Sequence, residues 1–428
     1  NNNVAIGWSA LSAITEGDQN VVVGYQSGLS ITTGIRNVGL GLTTLDAVTT
    51  GTRNVALGTG AGSSISTTSY NIFIGNDAGA NATSTGAVGI GHDALKAYTG
   101  NYAVAIGYES GVNLTSGANQ VSIGYQAGKA LTTAANSVFI GYQAGLVHTG
   151  GNNVAIGDRA FSNTDAGSNS LASSKNVAVG NRAMGGDLTD AAVEGTVAIG
   201  YFALQNATMG GINYNIAIGM ESQQANTGGQ NVAIGYATLK VADGGETGNV
   251  AIGTSTMDAV NNDGSDNNVA VGNYSLRGGT GVLARNIAIG HQSMDGTGAV
   301  GGQDNIFLGF NAGGGSWTTA QSQYNVGIGN YSLDAAMNGA LNNIAIGYNT
   351  LSSLTSGDNN IAIGTQVMQS LTTGQGNIVM GHASGNNMTG ASSQNVAIGH
   401  NAGYGISTGQ SNVILGNTGF SLGAASNT

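Results

Sequence analysis

Val104 to Gly145 reads VAIGYESGVNLTSGANQ, then VSIGYQAGKALTTAANS, then VFIGYQAG, a 17-residue unit repeated with its landmarks in place. Each copy opens on an apolar residue, a small or apolar one, another apolar one and Gly, continues as Tyr-polar-small-Gly, and closes through a loop of Thr, Ser, Gly and Asn. A unit this short cannot bury its own apolar face and must stack on copies of itself. Outward from this stretch, the Gly after each apolar triplet marks 24 units between Gly7 and Gly416, at intervals of 16 to 23 residues. The units are regular over 1–157 and 347–428, whereas most are longer over 158–346. The added residues, such as Phe161 to Lys175 and Gly185 to Gly195, follow the apolar part of the unit and belong on loops. The expectation is a single repeat domain over 1–428.

A triplet such as Val154-Ala155-Ile156 is too short for a helix and rich in β-branched residues, so it reads as a strand. Period 2 sends Val154 and Ile156 to one side and Ala155 to the other. The outer positions of all 24 triplets are Val, Ile, Leu or Met, which assigns that side to the core. The middle position holds Ala in 14 units and Gly in three, and never collects the charged residues of a wetted ladder. Both sides therefore read as buried, the small-residue side against another chain. A weaker second strand is expected at segments such as Tyr142-Gln143-Ala144-Gly145 and His92-Asp93-Ala94-Leu95. The register Gly reads as a corner that needs φ above zero or has no room for a Cβ. Asn stands four residues before it in 19 of 24 units, as in Asn3, Asn20, Asn37, Asn54 and Asn71, and reads as a left-handed turn residue and a stacked amide ladder. The predicted object is an all-β parallel β-roll or β-solenoid of about 24 coils, elongated to roughly 115 Å at a strand spacing of ~4.8 Å. So thin a coil, with its Ala side to cover, favours an oligomer of cyclic symmetry.

Composition narrows the functional classes. The chain has 75 Gly, no Pro, no Cys and 7% charged residues, so disulfide frameworks and thiolate metal sites are excluded. Ten Lys and Arg against 21 Asp and Glu, spread over 428 residues, form no basic stripe for nucleic acid. No run of about 18 apolar residues encodes a membrane span. The first residue is Asn rather than Met and no signal peptide follows, which suggests a segment of something longer. Expected partners are copies of the chain itself and a glycan or protein receptor.

The repeat N-V-A-I-G-Y-x-A-L/G followed by T-T-G-x-x-N, carried from Asn3-Val4-Ala5-Ile6-Gly7 to Asn412-Val413-Ile414-Leu415-Gly416, resembles the tandem units of phage and viral tail fibres. It is also similar to the shorter N-S-V-A-I-G repeats of trimeric autotransporter adhesin heads. The resemblance implies a left-handed parallel β-roll, three chains packed through small-residue sheets, and an extracellular place on a virion or cell surface. The function it implies is a non-enzymatic shaft or head of an attachment organelle. A phage or viral tail fibre is the first reading; the alternatives are a bacterial surface adhesin and a self-assembling extracellular filament. The coil is longer than the adhesin type, and Phe73, Phe139 and Phe307 put bulk where a tight axis would hold Ala.

No catalytic, cofactor-binding or metal-binding residue is assigned. His92, His291, His382 and His400 share the slot after the register Gly with Tyr25, Tyr108, Tyr125 and others, so that slot reads as structural surface. His382 and His400 fall on adjacent coils, about 5 Å apart by strand spacing. Acidic residues collect in loops, as in Asp187, Asp190 and Glu194 or Asp258, Asp263 and Asp266, without the spacing of a calcium motif. Phosphate loops, nucleophile elbows and zinc-protease motifs are absent. Thr32-Thr33, Thr49-Thr50 and Thr372-Thr373 fall short of a regular ice-binding array, and the Tyr125, Tyr142, Tyr201 and Tyr236 ladder offers aromatic platforms on which sugars stack.

Overall fold

A computed structural model describes residues 2–163, 173–186, 192–206, 212–225, 227–242 and 245–417. Asp187, Asp190 and much of the two long insertions lie outside them. The chain divides into two compact units, Asn1–Asn213 and Tyr214–Thr428, and the same coil builds both. In the first, twelve three-residue strands run from Val4–Ile6 to Val197–Ile199. In the second, twelve run from Ile216–Ile218 to Val413–Leu415. Consecutive strands pair in parallel and in register, Val104 opposite Val121 and Ala105 opposite Ser122 in one unit, Ile344 opposite Ile361 and Ala345 opposite Ala362 in the other. This is a parallel β-solenoid, with no helix among the described residues and hence none able to cross a membrane. At ~4.8 Å per step, each row of twelve strands is about 53 Å long.

The two sides of the strand are the reverse of the sequence expectation. The middle residue is the one that faces the core: Ala56, Phe73, Ala105, Phe139, Ala251 and Ala345 are fully buried inside their own chain. None of the outer residues is buried, and Ile156, Ile252, Ile289 and Ile398 are 38, 37, 39 and 40% exposed. The reason is the width of the coil. Opposite each strand the interior is filled by aliphatic side chains from the rest of the coil: Leu45, Leu95, Leu239 and Met257 four residues after the register Gly, and Ile31, Val48, Leu114, Leu131 and Leu354 seven after it. Those residues already supply the core, which leaves room for a methyl group from the strand.

The segment after the register Gly is not a second strand. Its residues alternate in the sign of φ, with Gln143 at 54° and Gly145 at 60°, or Asp93 at 57° and Leu95 at 50°. A non-glycine residue in the left-handed region costs about 1–2 kcal/mol, and here the cost is offset by bonds made in both directions along the stack. The Gln126 N–H donates to the Tyr108 carbonyl of the coil before (2.9 Å) and the Gly128 N–H to the Ala144 carbonyl of the coil after (2.9 Å). A small second sheet does exist elsewhere, in the longer coils of the second unit, where Leu283–Ala284, Gly302–Gln303 and Ser322–Gln323 pair in parallel.

Both reasons for a register glycine hold. Gly124 has φ 135°, and a Cβ built there would lie 2.2 Å from the carbonyl oxygen of Gly141 in the next coil. The Asn ladder is present, though Asn is not the left-handed residue; the residue before it is, as at Gln19 (60°), Arg36 (58°) and Asn359 (58°). The Asn360 N–H and Nδ2 both donate to Asn343 Oδ1 (3.0 Å), and Nδ2 also donates to the Gly374 carbonyl (2.8 Å). Asn360 Oδ1 in turn accepts from Asn377 N–H (3.1 Å) and Nδ2 (2.9 Å). These amides are fully buried, where an unmade bond is expensive. Ala87 and Ala103 break the ladder, and close by Tyr98 is buried with its hydroxyl donating to the Asn101 carbonyl (2.7 Å).

Candidate functional site

Since the repeated coil spends its interior on packing and amides, whatever it presents outward lies in ladders. The first is the row of outer strand residues. Its leading position is always Val or Ile and its trailing position Ile, Leu, Val or Met, so every rung offers two half-exposed aliphatic side chains and no charge. The second is the slot after the register Gly. The structure brings its rings together: Trp8 stacks on Tyr25 at 4.9 Å, and His92, Tyr108, Tyr125 and Tyr142 form one column at 5.1, 5.4 and 5.2 Å with interplanar angles of 13, 10 and 9°. Arg159 closes that column with its guanidinium 5.2 Å from the Tyr142 ring centre. The faces of the rings are therefore turned to one another, and what reaches solvent is their edges and hydroxyls. A sugar that stacks on a ring face has no free face within the column.

His92, His291, His382 and His400 are exposed members of this slot. His291 stacks on Phe310 at 5.3 Å, and His382 on His400 at 5.2 Å with planes 10° apart, the spacing expected from the strand repeat. Imidazole lone pairs lie in the ring plane, so parallel rings do not aim two of them at one ion. The fifth histidine, His148, was not singled out by sequence reasoning. It occupies the core slot that Leu131 fills one coil earlier, buried between Phe139 and Phe161, with Nε2 2.8 Å from Asn153 Nδ2. The register was the signal: His148 stands seven residues after Gly141, as Leu131 does after Gly124.

The acidic residues are mostly divided among cross-coil partners. Lys129 and Gln126 hold the Glu109 carboxyl below the usual range, Arg285 grips Asp304 through two 2.7 Å bonds and lowers it likewise, and Arg277 meets Asp258 at 3.2 Å. Glu194 pairs with Lys175, and Asp266 Oδ1 accepts from the Thr247 N–H (2.7 Å). Burial pushes Asp334 up to about 6 although it accepts from Asn311 Nδ2. Among the described residues no three His, Asp or Glu side chains gather as a metal site would need. Open grooves also lie between loops among the described residues. One, of about 380 Å³, is lined by Arg159, Arg182, Gln143 and Gln205; another, of about 520 Å³, by Arg277, Asp295 and Trp317. No protein-family model and no curated protein matches the chain.

Proposed function

We propose that the chain is a non-enzymatic structural segment of an extracellular attachment organelle, most simply the shaft of a phage or viral tail fibre, in which copies associate side by side. The observation that carries this reading is how the recurring polar residues are employed. In coil after coil the Asn side chain is buried and bonded to the coils on either side, as Asn343, Asn360, Asn377 and Asn395 are. A repeat that devotes its polar residues to joining each coil to the next is built to carry load along a stack, and the likeness of its N-V-A-I-G units to fibre repeats points the same way. The cyclic oligomer expected from the sequence rested in part on an Ala side in need of cover, and its three chains on the resemblance. With Ala inside its own coil, the surface in need of cover is the aliphatic one. Contact with a host glycan or protein would then fall to ring edges, Tyr hydroxyls and loops.

Antibodies raised against the purified chain test the assignment. Labelling of tail extremities on virions is the expected result, and labelling of a bacterial envelope would make the chain a surface adhesin. A soluble intracellular distribution, or cleavage of a polysaccharide by the purified chain, would overturn the reading.

A further inference from the structure

We infer that the ladder of Val and Ile side chains is a homotypic interface, and that two copies of the chain pair through it face to face. The inference rests on the side-by-side association proposed above and names its surface and stoichiometry. Its starting point is extent. Three residues at ~3.3 Å and twelve rungs at ~4.8 Å give each unit an apolar strip of about 570 Å² before side-chain relief is counted. That equals the largest apolar patch a monomer ordinarily exposes, about 300–600 Å². Each of the two units carries such a strip of its own.

The pattern of the strip selects its occupant. Within a unit the leading residues, such as Val104, Val121 and Val138, form one ridge and the trailing residues Ile106, Ile123 and Ile140 a second. The ridges stand two residues, ~6.6 Å, apart, and their knobs recur every ~4.8 Å along the stack. A surface that interdigitates with them over twelve rungs must carry the same two spacings. A second copy of this chain does so by construction, since its face is the same face. Facing sheets pack about 10 Å apart with their inner side chains interleaved. Polarity fits as well: many of the strands are flanked by exposed residues with polar tips, as by Tyr102 before Val104 and Tyr108 after Ile106, which gives an apolar centre with a polar rim. Each rung has one outward sheet face, and one opposing sheet covers it entirely. A third chain has nothing left to cover, so the closed assembly is a pair.

Sedimentation of the intact chain tests this. The unsubstituted protein should run as a dimer. The variant Ile106→Lys/Ile140→Lys/Ile234→Lys/Ile252→Lys should lose the pair at concentrations where the parent is fully paired, and keep its β-type circular dichroism because all four side chains are already partly wet. Asn113→Lys, on an exposed loop position, should stay dimeric. The chain has no Cys, so single cysteines give a second readout that needs no destabilised variant: Ile123→Cys should be shielded from a water-soluble thiol reagent in the paired protein and Asn113→Cys should not. A folded monomer as the parent state would overturn both the association and its surface. A trimer, or a dimer that survives the four lysines with Ile123→Cys open to the reagent, would overturn the face-to-face pair while leaving self-association intact. The antibody result bears on neither.

Discussion

Phe139 shows how a residue that breaks the pattern is accommodated. Its ring fills the core position that Ala takes elsewhere, and Gly145 in the same coil makes the space: a Cβ there would meet the ring at 2.8 Å. Phe73 with Gly79 and Phe307 with Gly313 repeat the arrangement at 2.5 and 2.8 Å, and Gly89 and Gly327 in the coils that follow give way as well. The three Phe, each six residues ahead of a Gly, were legible as bulk in the wrong place; the compensation was not, because six residues apart in the chain says nothing of contact until the turn between them is known. Phe139→Ala should lose about 3–5 kcal/mol by opening a cavity, and Gly145→Leu about 1–3 kcal/mol by overpacking, both measured by urea unfolding. The double variant reproduces the small-residue-plus-Leu coil seen at Gly89 and Leu95. Its loss should therefore fall well below the sum of the two singles. Additive losses would mean that the two sites do not share one volume.

At the scale of the coil, the strand, the corner glycine and the amide ladder were readable because each rests on a local property of one residue type in one slot. The turn was misread as a strand because alternating φ leaves the same apolar-polar alternation that a strand does. The faces were inverted because apolar count alone cannot tell a core from an exposed apolar face, and the Leu and Ile residues that fill the interior sit in what reads as loop. Asn360→Ala would leave the Asn377 N–H and the Gly374 carbonyl without their side-chain partner, at about 1–3 kcal/mol for each buried group left unsatisfied. Asn360→Gln should recover part of the loss, since Gln120 already keeps both roles with Ala134 O at 2.6 Å and Ser137 N–H at 3.1 Å. Equal unfolding midpoints for Asn360→Ala and the parent would contradict the buried ladder. Asp334 gives a pH signature. Its folded carboxyl titrates at about 6, above the unfolded value, so the folded state holds the extra proton. That contribution is fully present below about pH 4 and is lost as pH rises through about 6. Asp334→Asn should flatten that part of the stability profile and leave the rest unchanged.

For the whole chain, stability is expected to be a sum of coil terms and nearest-neighbour terms. Amide exchange should then register the Asn360→Ala lesion most strongly in the coils that carry Asn343 and Asn377, and progressively less towards coils further along the unit, whereas a uniform loss of protection would indicate a globally cooperative fold. Repetition made the architecture legible from the sequence alone, and the same repetition concealed the function, because a slot used 24 times is shaped by stacking rather than by any ligand. One feature separates the two demands. Val154 stands opposite Val177 across a 23-residue interval with the same register that joins Val138 to Val154 across 16. The pitch of the stack is thus blind to how much chain is spent between rungs. Loops on this scaffold can lengthen, shorten or be exchanged one at a time without disturbing the aliphatic ridges, so that what the surface presents is free to diversify while the frame beneath it stays fixed.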